Sequence, residues 1–284
     1  MYPSSVHYEA IMQHDKIKID LSSVSETLLI SLWSRAKISR EHNALLNDAK
    51  AIELVEQIDY DFSTIEKALR VEGTLLDAAR AKQFDNKIKG YIAEHPRASV
   101  VNIGAGLDTH FYRNDNGLIH WYDLDLPAVI EIRKQLLPEA DRTTYIAKSL
   151  LDPSWCKEIK HTEDGMIIIA GGVVMYFEEV EVKQFFSLLA DHFPGGEIVF
   201  DAVTKLNAFL GTWGIRRTGV KGARVKWGVK DAYKMTKWDN RIKVVEQFPC
   251  FQGIPRDIAW DESIKRLMDL IDKSKMTNIF HLQV

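Results

Sequence analysis

The amino-acid sequence predicts an α/β fold built on a seven-stranded, mostly parallel sheet. Residues 1–95 carry apolar side chains at helical spacing and show no strand signals, whereas short apolar runs alternate with helical segments from about residue 98 onward. Such alternation is typical of parallel sheets, in which a helix connects each strand to the next. In addition, the apolar run 100–103 breaks into a glycine turn, and the next run ends in an aspartate. We therefore expect a sheet preceded by an N-terminal helical cap.

Four helices are predicted within that cap, which spans residues 1–95. Their expected ranges are 22–46, 48–58, 62–69 and 75–94. Ser22 or Ser25 can cap the first helix, since a serine oxygen accepts a hydrogen bond from a free backbone N–H at a helix start. The fourth helix ends at His95 because Pro96 cannot continue it.

Strands and helices alternate in the predicted cofactor-binding core, residues 96–204. The strands are 99–103, 119–123, 144–147, 166–170 and 197–201, and the helices are 128–136, 153–159 and 178–192. A helical insertion after the fifth strand, residues 205–240, is expected to form a lid over the substrate. Residues 241–284 then complete the core with strand 241–248, helix 262–273 and strand 277–284. We expect all of these segments to form a single domain.

The glycine turn and the acidic strand end indicate a nucleoside site. Gly104 and Gly106 let the backbone approach a ligand, and Asp125 can accept hydrogen bonds from ribose hydroxyls. Thr109 stands where the dinucleotide fingerprint has its third glycine, so a turn that binds pyrophosphate is disfavoured. A nucleoside without phosphate, such as S-adenosylmethionine, fits better. The alternatives are that the turn is only structural and that Asp125 caps the helix behind Pro127.

Charge and composition exclude several classes of function. A net charge of -3 over 284 residues creates no strong field of one sign, so binding to nucleic acid or to an anionic membrane through bulk charge is not supported. No apolar run reaches the ~18 residues of a membrane span. The N-terminus lacks the apolar core of a signal peptide, which favours a cytoplasmic protein. Cys156 and Cys250 lack the spacing of metal ligands and are expected to be small buried hydrophobes.

Five ordered blocks of sequence carry a family resemblance. They are residues 24–29 with 33–36, 48–51 with 58–62, 101–109 with 111–113, 121–127, and 172–177. On these blocks the chain resembles the S-adenosylmethionine-dependent methyltransferase family that contains leucine carboxyl methyltransferase and the tetracenomycin polyketide O-methyltransferases, and it is closer to the second branch. The resemblance implies a class I methyltransferase, Rossmann-like fold and S-adenosyl-L-methionine as cofactor. The predicted elements agree in number with that fold, whose last strand inserts antiparallel between the fifth and sixth.

The resemblance also implies roles for particular residues. Arg80 stands where the family pairs an arginine with the cofactor's carboxylate, and Ser149 stands where carboxyl methyltransferases place an aspartate near adenine. Tyr176, a candidate catalytic residue, is expected near the methyl group, where it orients the nucleophile or lines the cavity. The implied cofactor-binding residues are Arg80, Gly104, Ala105, Gly106, Asp125, Leu126, Ser149, Leu150 and Gly171.

Other polar positions are harder to interpret. Gly171 stands where relatives often carry a glutamate, and His110 where close relatives often carry an arginine, so a weakly active member is one interpretation. His110 and His192 are candidate bases, although a lone histidine is more often structural. Asp123 is expected to be solvated or to cap a helix, and Asp152 to cap the helix that follows it.

The leading functional hypothesis is an O-methyltransferase that acts on the hydroxyl or carboxyl group of a small molecule, for example a polyketide or another aromatic compound. The alternatives are methylation of a protein's C-terminal carboxyl group and binding of the cofactor without turnover; a nicotinamide oxidoreductase is disfavoured by the missing third glycine.

The insertion contains three tryptophans, Trp213, Trp227 and Trp238, which either form an apolar acceptor pocket or pack the lid onto the core. The basic residues from Arg216 to Lys226 either attract an acidic substrate or form a solvated face. The sequence leaves the oligomeric state open.

Overall fold

Seven strands form one sheet in the computed structural model, which describes residues 16–21, 26–41, 45–69, 71–204, 224–256 and 260–284. The strands are β1 (Ser99–Ile103), β2 (His120–Asp125), β3 (Thr143–Ala147), β4 (Met166–Ala170), β5 (Glu197–Val203), β6 (Lys243–Pro249) and β7 (Thr277–Gln283). Their order is β3-β2-β1-β4-β5-β7-β6, and β7 is antiparallel to both of its neighbours. The predicted mostly parallel sheet, with its last strand inserted between the fifth and sixth, is therefore confirmed.

Eight α-helices accompany the sheet within the described ranges. They are α1 (Thr27–Ser39), α2 (Ala49–Gln57), α3 (Ser63–Ala68), α4 (Val71–Glu94), α5 (His110–Asn114), α6 (Pro127–Leu136), α7 (Glu179–His192) and α8 (Glu262–Ser274). The short helix α5 was not predicted, because five residues are too few to show a helical period. None of the helices in this part of the chain is long and apolar enough to cross a membrane.

The largest difference from the predicted elements lies after β3. Residues 153–159 were expected as a helix, but the chain forms only a short 3₁₀ turn, Pro153–Lys157. The carboxylate of Asp152 accepts a hydrogen bond from the backbone N–H of Ser154 at 2.9 Å, so the predicted cap is present. The first helix was predicted over residues 22–46, but α1 ends at Ser39, and residues 40–41 and 45–46 are not helical. Residues 22–25 and 42–44 of that prediction lie outside the described residues.

Both faces of the sheet are covered, which is why β1 and β4 are buried along their whole length and β4 has a continuous apolar sequence. On one face α4 packs through Phe84, Ile88 and Ile92. On the other face α7 packs together with Trp227, which is buried in the main core. Cys156 and Cys250 are both buried as expected.

Residues 224–240, the described part of the predicted insertion, pack mostly against this core. Trp227 and Trp238 contact each other and the α7 side of the sheet, which agrees with the packing alternative for these two residues. Val225 is the only described residue of the insertion that lines the cavity at the carboxyl ends of the strands. Trp213, Arg216 and the rest of residues 205–223 lie outside the described residues.

The topology fixes where a ligand can bind. β1 lies between β2 and β4, so the connections that follow β1 and β4 leave the sheet in opposite directions. In open α/β sheets, ligands bind outside the carboxyl ends of the strands at such a switch point. The glycine turn follows β1 directly, so it lies at this switch point.

Candidate functional site

A cavity of about 930 Å³ opens at the carboxyl ends of β1 to β5. Its volume lies near the upper end of the range of roughly 300–1,000 Å³ that is typical of small-molecule sites. The residues predicted as cofactor-binding or catalytic all line it, namely Arg80, Gly104, Ala105, Gly106, Asp125, Leu126, Ser149, Leu150, Gly171 and Tyr176. The fold therefore brings these positions together, although they are widely separated in the sequence.

The turn after β1 requires glycine at its first position. Gly104 has a φ of +66° and Gly106 a φ of +48°, which lie in the left-handed region that favours glycine. A Cβ atom on Gly104 would overlap with a methyl carbon of Val173. The N–H of Gly104 donates to the carbonyl oxygen of Leu124 at 2.7 Å, which holds the turn against the end of β2. The result is a stretch of bare backbone that a ligand can approach.

Asp125, at the end of β2, extends its carboxylate into this turn. One oxygen accepts a hydrogen bond from the N–H of Gly106 at 2.8 Å, and the other accepts one from the N–H of Leu126 at 2.7 Å. Burial raises the pKa of Asp125, although these two hydrogen bonds oppose the rise. Leu126 precedes the first helical residue of α6, so Asp125 does not bind the N–H groups that a helix cap would satisfy. Each oxygen keeps lone-pair capacity for a ligand hydroxyl.

Ser149 and Leu150 follow β3 and form another wall of the cavity. The Ser149 hydroxyl oxygen accepts a hydrogen bond from the N–H of Leu151 at 3.3 Å, which leaves its O–H able to donate. The carbonyl oxygen of Leu150 accepts a hydrogen bond from the indole N–H of Trp155 at 3.1 Å, which fixes the connection in place. This wall therefore offers a hydroxyl and an apolar side chain, and no carboxylate.

Arg80, on α4, reaches the opposite end of the cavity. Its guanidinium donates to Asp77 at 2.9 Å and to Asp201 at 3.4 Å. Nearby, a Cβ atom on Gly171 would lie 2.5 Å from the ring of Phe84, so this ring occupies the space into which a side chain at position 171 would project. Asp77, Phe84 and Asp201 were not among the predicted site residues. Asp201 could have been found, because it is the last residue of the predicted strand 197–201 and carries a carboxylate.

Tyr176 ends a 3₁₀ turn, Val174–Tyr176, that follows β4. Burial raises the pKa of its phenol to about 12, while the nearby Arg80 opposes the rise. Among the described residues, no group forms a hydrogen bond with the phenol oxygen. Tyr176 thus presents a neutral hydroxyl to the cavity, which suits either of the roles predicted for it.

His110 is part of a buried network and is not a lone histidine. Its Nδ1 lies 2.6 Å from Asp85, and its Nε2 lies 3.2 Å from Asp108. Burial would raise the pKa of Asp85, but His110 and Arg113 outweigh that effect and hold it well below its usual range. The network supports the chain just after the glycine turn, which favours the structural alternative for His110. His192 does not line the cavity, and its ring lies 3.0 Å from the carbonyl oxygen of Leu188 on its own helix.

Asp123 is buried, so the expectation that it is solvated or caps a helix is wrong. Its carboxylate binds the guanidinium of Arg133 at 2.7 Å and also accepts hydrogen bonds from Asn102 and Trp121. Arg133 in turn donates to the carbonyl oxygens of Gly106 and Asp108 at 3.0 and 2.8 Å. The aspartate that looked solvated from its place in the sequence therefore anchors the arginine that holds the turn.

Solved structures with similar backbones support the fold. A candidate methyltransferase from Thermobifida fusca YX superposes with a TM-score of 0.58 at 12% identity, covering 88% of this chain and 93% of that one. A DUF574 family protein from Streptomyces avermitilis MA-4680 gives a TM-score of 0.57 at 14% identity, covering 88% of this chain and 99% of that one.

Comparisons of amino-acid sequence identify the family, whereas the structural similarities support only the fold. The family model for leucine carboxyl methyltransferase matches residues 29–190, which are more than half of the chain. The tetracenomycin polyketide synthesis O-methyltransferase TcmP of Streptomyces glaucescens is 33% identical over 214 residues, covering 74% of this chain and 77% of the relative. The S-adenosyl-L-methionine-dependent methyltransferase dpfgK of Gibberella zeae is 28% identical, covering 69% of this chain and 72% of the relative. The chain therefore belongs to the leucine carboxyl methyltransferase family of S-adenosylmethionine-dependent methyltransferases.

Proposed function

We propose that this methyltransferase transfers the methyl group of S-adenosylmethionine to a hydroxyl group of a small, apolar acceptor. The observation that carries the proposal is that the cavity extends beyond the glycine turn into a region lined by apolar side chains. That region includes Leu69, Leu76, Met175, Phe177, Val203 and Met276. Apolar walls with few polar groups are typical of sites for small organic molecules.

The rest of the cavity fits the cofactor. The bare backbone at Gly104 and Gly106 admits a nucleoside, Asp125 would hold the ribose hydroxyls, and Arg80 would bind the carboxylate at the amino-acid end. Ser149 would offer its hydroxyl to the adenine. When bound, the cofactor supplies an electrophilic methyl group on a sulfonium, so the chain has to place the acceptor in line and keep water out.

Charge favours a neutral acceptor over an anionic one. Among the described charged residues that line the cavity, acidic side chains outnumber basic ones: Glu72, Asp77, Asp108, Asp125 and Asp201 against Arg35, Arg80 and Lys148. Glu72 lies in the first turn of α4, close to Leu69 and Leu76, and it forms no hydrogen bond or ion pair with another described residue. A fixed negative charge there would repel a carboxylate acceptor, but it could accept a hydrogen bond from a hydroxyl and draw off its proton.

The name of one relative supports oxygen as the atom that is methylated. TcmP is named as an O-methyltransferase of polyketide synthesis, a name that covers methylation of a hydroxyl or of a carboxyl oxygen. The acceptor that we propose is a phenol, in which the hydroxyl stands on an apolar ring system. An acceptor of this type would match both the apolar walls and the excess of acidic groups. A phenol also gains from a nearby base, whereas a carboxylate is already an anion and gains nothing from one.

The test is transfer of a labelled methyl group from S-adenosylmethionine to matched acceptors. The panel pairs neutral phenols of one to four rings with the corresponding aromatic carboxylic acids, and adds a peptide that ends in leucine. We expect transfer to phenols, and a lower rate with the variant Glu72→Gln but not with Glu66→Gln, whose side chain lies outside the cavity. Transfer only to the acids or only to the peptide would contradict the proposal.

A further inference from the structure

The polar end of the cavity is built from α4 and β5. Asp201 lies on β5, directly after Phe200, which pairs with Ala170 at the end of β4, and Gly171 is the first residue after that strand. Its side chain is only 1% exposed.

Asp201 has one oxygen in a short hydrogen bond and one that is weakly bound. Its Oδ1 accepts a hydrogen bond from the N–H of Gly172 at 2.5 Å. Its Oδ2 faces Nη1 of Arg80 at 3.4 Å, which is longer than the roughly 2.7–2.9 Å of a strong bond between charged groups. Asp77 meets the same guanidinium at the shorter distance of 2.9 Å. The second oxygen of Asp201 is therefore free to bind another cationic donor.

The charges of the cluster match the amino-acid end of the cofactor. Arg80 contributes one positive charge, and Asp77 and Asp201 contribute two negative charges, so one carboxylate exceeds what the guanidinium neutralises. An α-amino acid brings both a carboxylate, which suits a guanidinium, and an ammonium, which needs a carboxylate. The charges of Arg80 and Asp201 both affect the pKa of the Tyr176 phenol, and burial raises that pKa, so the phenol stays neutral.

We propose that Asp201 binds the α-ammonium of S-adenosylmethionine through Oδ2 and at the same time positions Arg80 for the α-carboxylate. Gly172 contributes to this arrangement, because its φ of +69° turns its N–H toward Asp201 and its missing Cβ lets Arg80 lie close to the turn. The inference rests on the proposed function only in requiring that the cofactor bind in this cavity, and it holds for any methyl acceptor.

The test is calorimetry with three ligands and the variant Asp201→Asn. The ligands are S-adenosylhomocysteine, its analogue in which hydrogen replaces the α-ammonium, and 5′-methylthioadenosine, which lacks the amino-acid end. Asparagine keeps an oxygen for the N–H of Gly172 but removes the charge. We expect the variant to bind S-adenosylhomocysteine about 10- to 100-fold more weakly, the scale of a hydrogen bond between charged groups, and to lose the preference for the ammonium. Its affinity for 5′-methylthioadenosine should not change.

Two further variants keep the result interpretable. Asp164→Asn removes an equal charge at an exposed position outside the cavity and should bind all three ligands as the wild type does. Asp77→Asn should weaken both ligands that carry the carboxylate but keep the preference for the ammonium, because Asp77 acts on Arg80 alone.

Three results would overturn the inference: an unchanged ammonium preference in Asp201→Asn, an equal loss for all three ligands, which would mark a purely structural role, or a loss of the preference in Asp77→Asn. If Asp201→Asn does not fold, the Asp77→Asn series alone decides between the two carboxylates. If the wild type binds none of the ligands, the cofactor assignment of the cavity fails instead, so the two failures are distinguishable.

Discussion

Arg133 and Asp123 form a buried ion pair of 2.7 Å against the glycine turn. Both side chains are almost completely inaccessible to water. Arg133 also donates to the carbonyl oxygens of Gly106 and Asp108, so it connects α6, β2 and the glycine turn that follows β1. The shape of the glycine turn thus depends on a pair of residues that do not line the cavity.

Replacement of Arg133 by methionine should strongly destabilise the protein. It would leave the carboxylate of Asp123 buried without its cation, which typically costs about 3–5 kcal/mol. The free energy of unfolding from urea titration would show the loss. Arg40→Met is the matched control, because Arg40 and its partner Glu56 are both exposed and such pairs contribute less than about 1 kcal/mol. Equal, small losses in both variants would contradict a structural role for the buried pair.

The contact between Gly171 and Phe84 predicts a steric effect. Gly171→Ala should destabilise the protein by about 1–3 kcal/mol, because the new Cβ atom would meet the Phe84 ring at 2.5 Å. In the double variant with Phe84→Leu, the loss should be smaller than the sum of the two single losses, since the smaller side chain makes room. A urea titration of the three variants measures this coupling, and strict additivity would show that the two sites do not interact.

Gly90→Ala is the control for that series. Gly90 lies within α4, and a Cβ atom added there would meet nothing within 4 Å. Alanine is favoured over glycine in a helix by about 0.5–1 kcal/mol, so this variant should be more stable than the wild type. The same glycine-to-alanine change is thus expected to have opposite signs at the two positions.

Asp125→Ala should weaken cofactor binding by about 1–3 kcal/mol, the scale of hydrogen bonds to a charged group. The carboxylate must be ionised to accept two ribose hydroxyls, and burial raises its pKa above the ordinary value near 4. Affinity should therefore be full at neutral pH and fall on acidification, as the pH passes through this raised pKa. Calorimetric titration with S-adenosylhomocysteine at a series of pH values would show both effects. Unchanged affinity in a folded variant would remove Asp125 from the site.

The parts of the site that could be predicted from sequence are those with a strong local requirement. The turn at Gly104 needs a positive φ and a missing side chain, so it leaves a visible glycine pattern. Asp125 ends an apolar strand in a carboxylate, which is an equally local signal. Both patterns can be recognised without knowing which residues pack against them. The resemblance to a known family added Arg80, Ser149 and Tyr176 to the predicted site.

Pairs formed across the fold could not be predicted in this way. Phe84 has the sequence signature of any core aromatic residue on α4, and nothing near it indicates that its ring takes the space above Gly171. The partner of Asp123 is ten residues away on another element, so its charge suggested solvent instead of an ion pair. The consequence of a glycine at position 171 could not be predicted either. It depends on Asp201, which supplies a carboxylate from the neighbouring strand β5.

Tyr176 should act as a neutral hydroxyl and not as a phenolate base. An ordinary tyrosine titrates near pH 10, but burial raises the pKa of Tyr176 to about 12, so its proton stays in place throughout the neutral and moderately alkaline range. The rate of methyl transfer measured from about pH 7 to 10 should then have the same shape in the wild type and in Tyr176→Phe. The rate itself should fall less than about 10-fold, as expected for one hydrogen bond between neutral groups. An alkaline rise in rate that Tyr176→Phe abolishes would instead show that the phenolate takes part in the chemistry, because this substitution removes only the phenol hydroxyl.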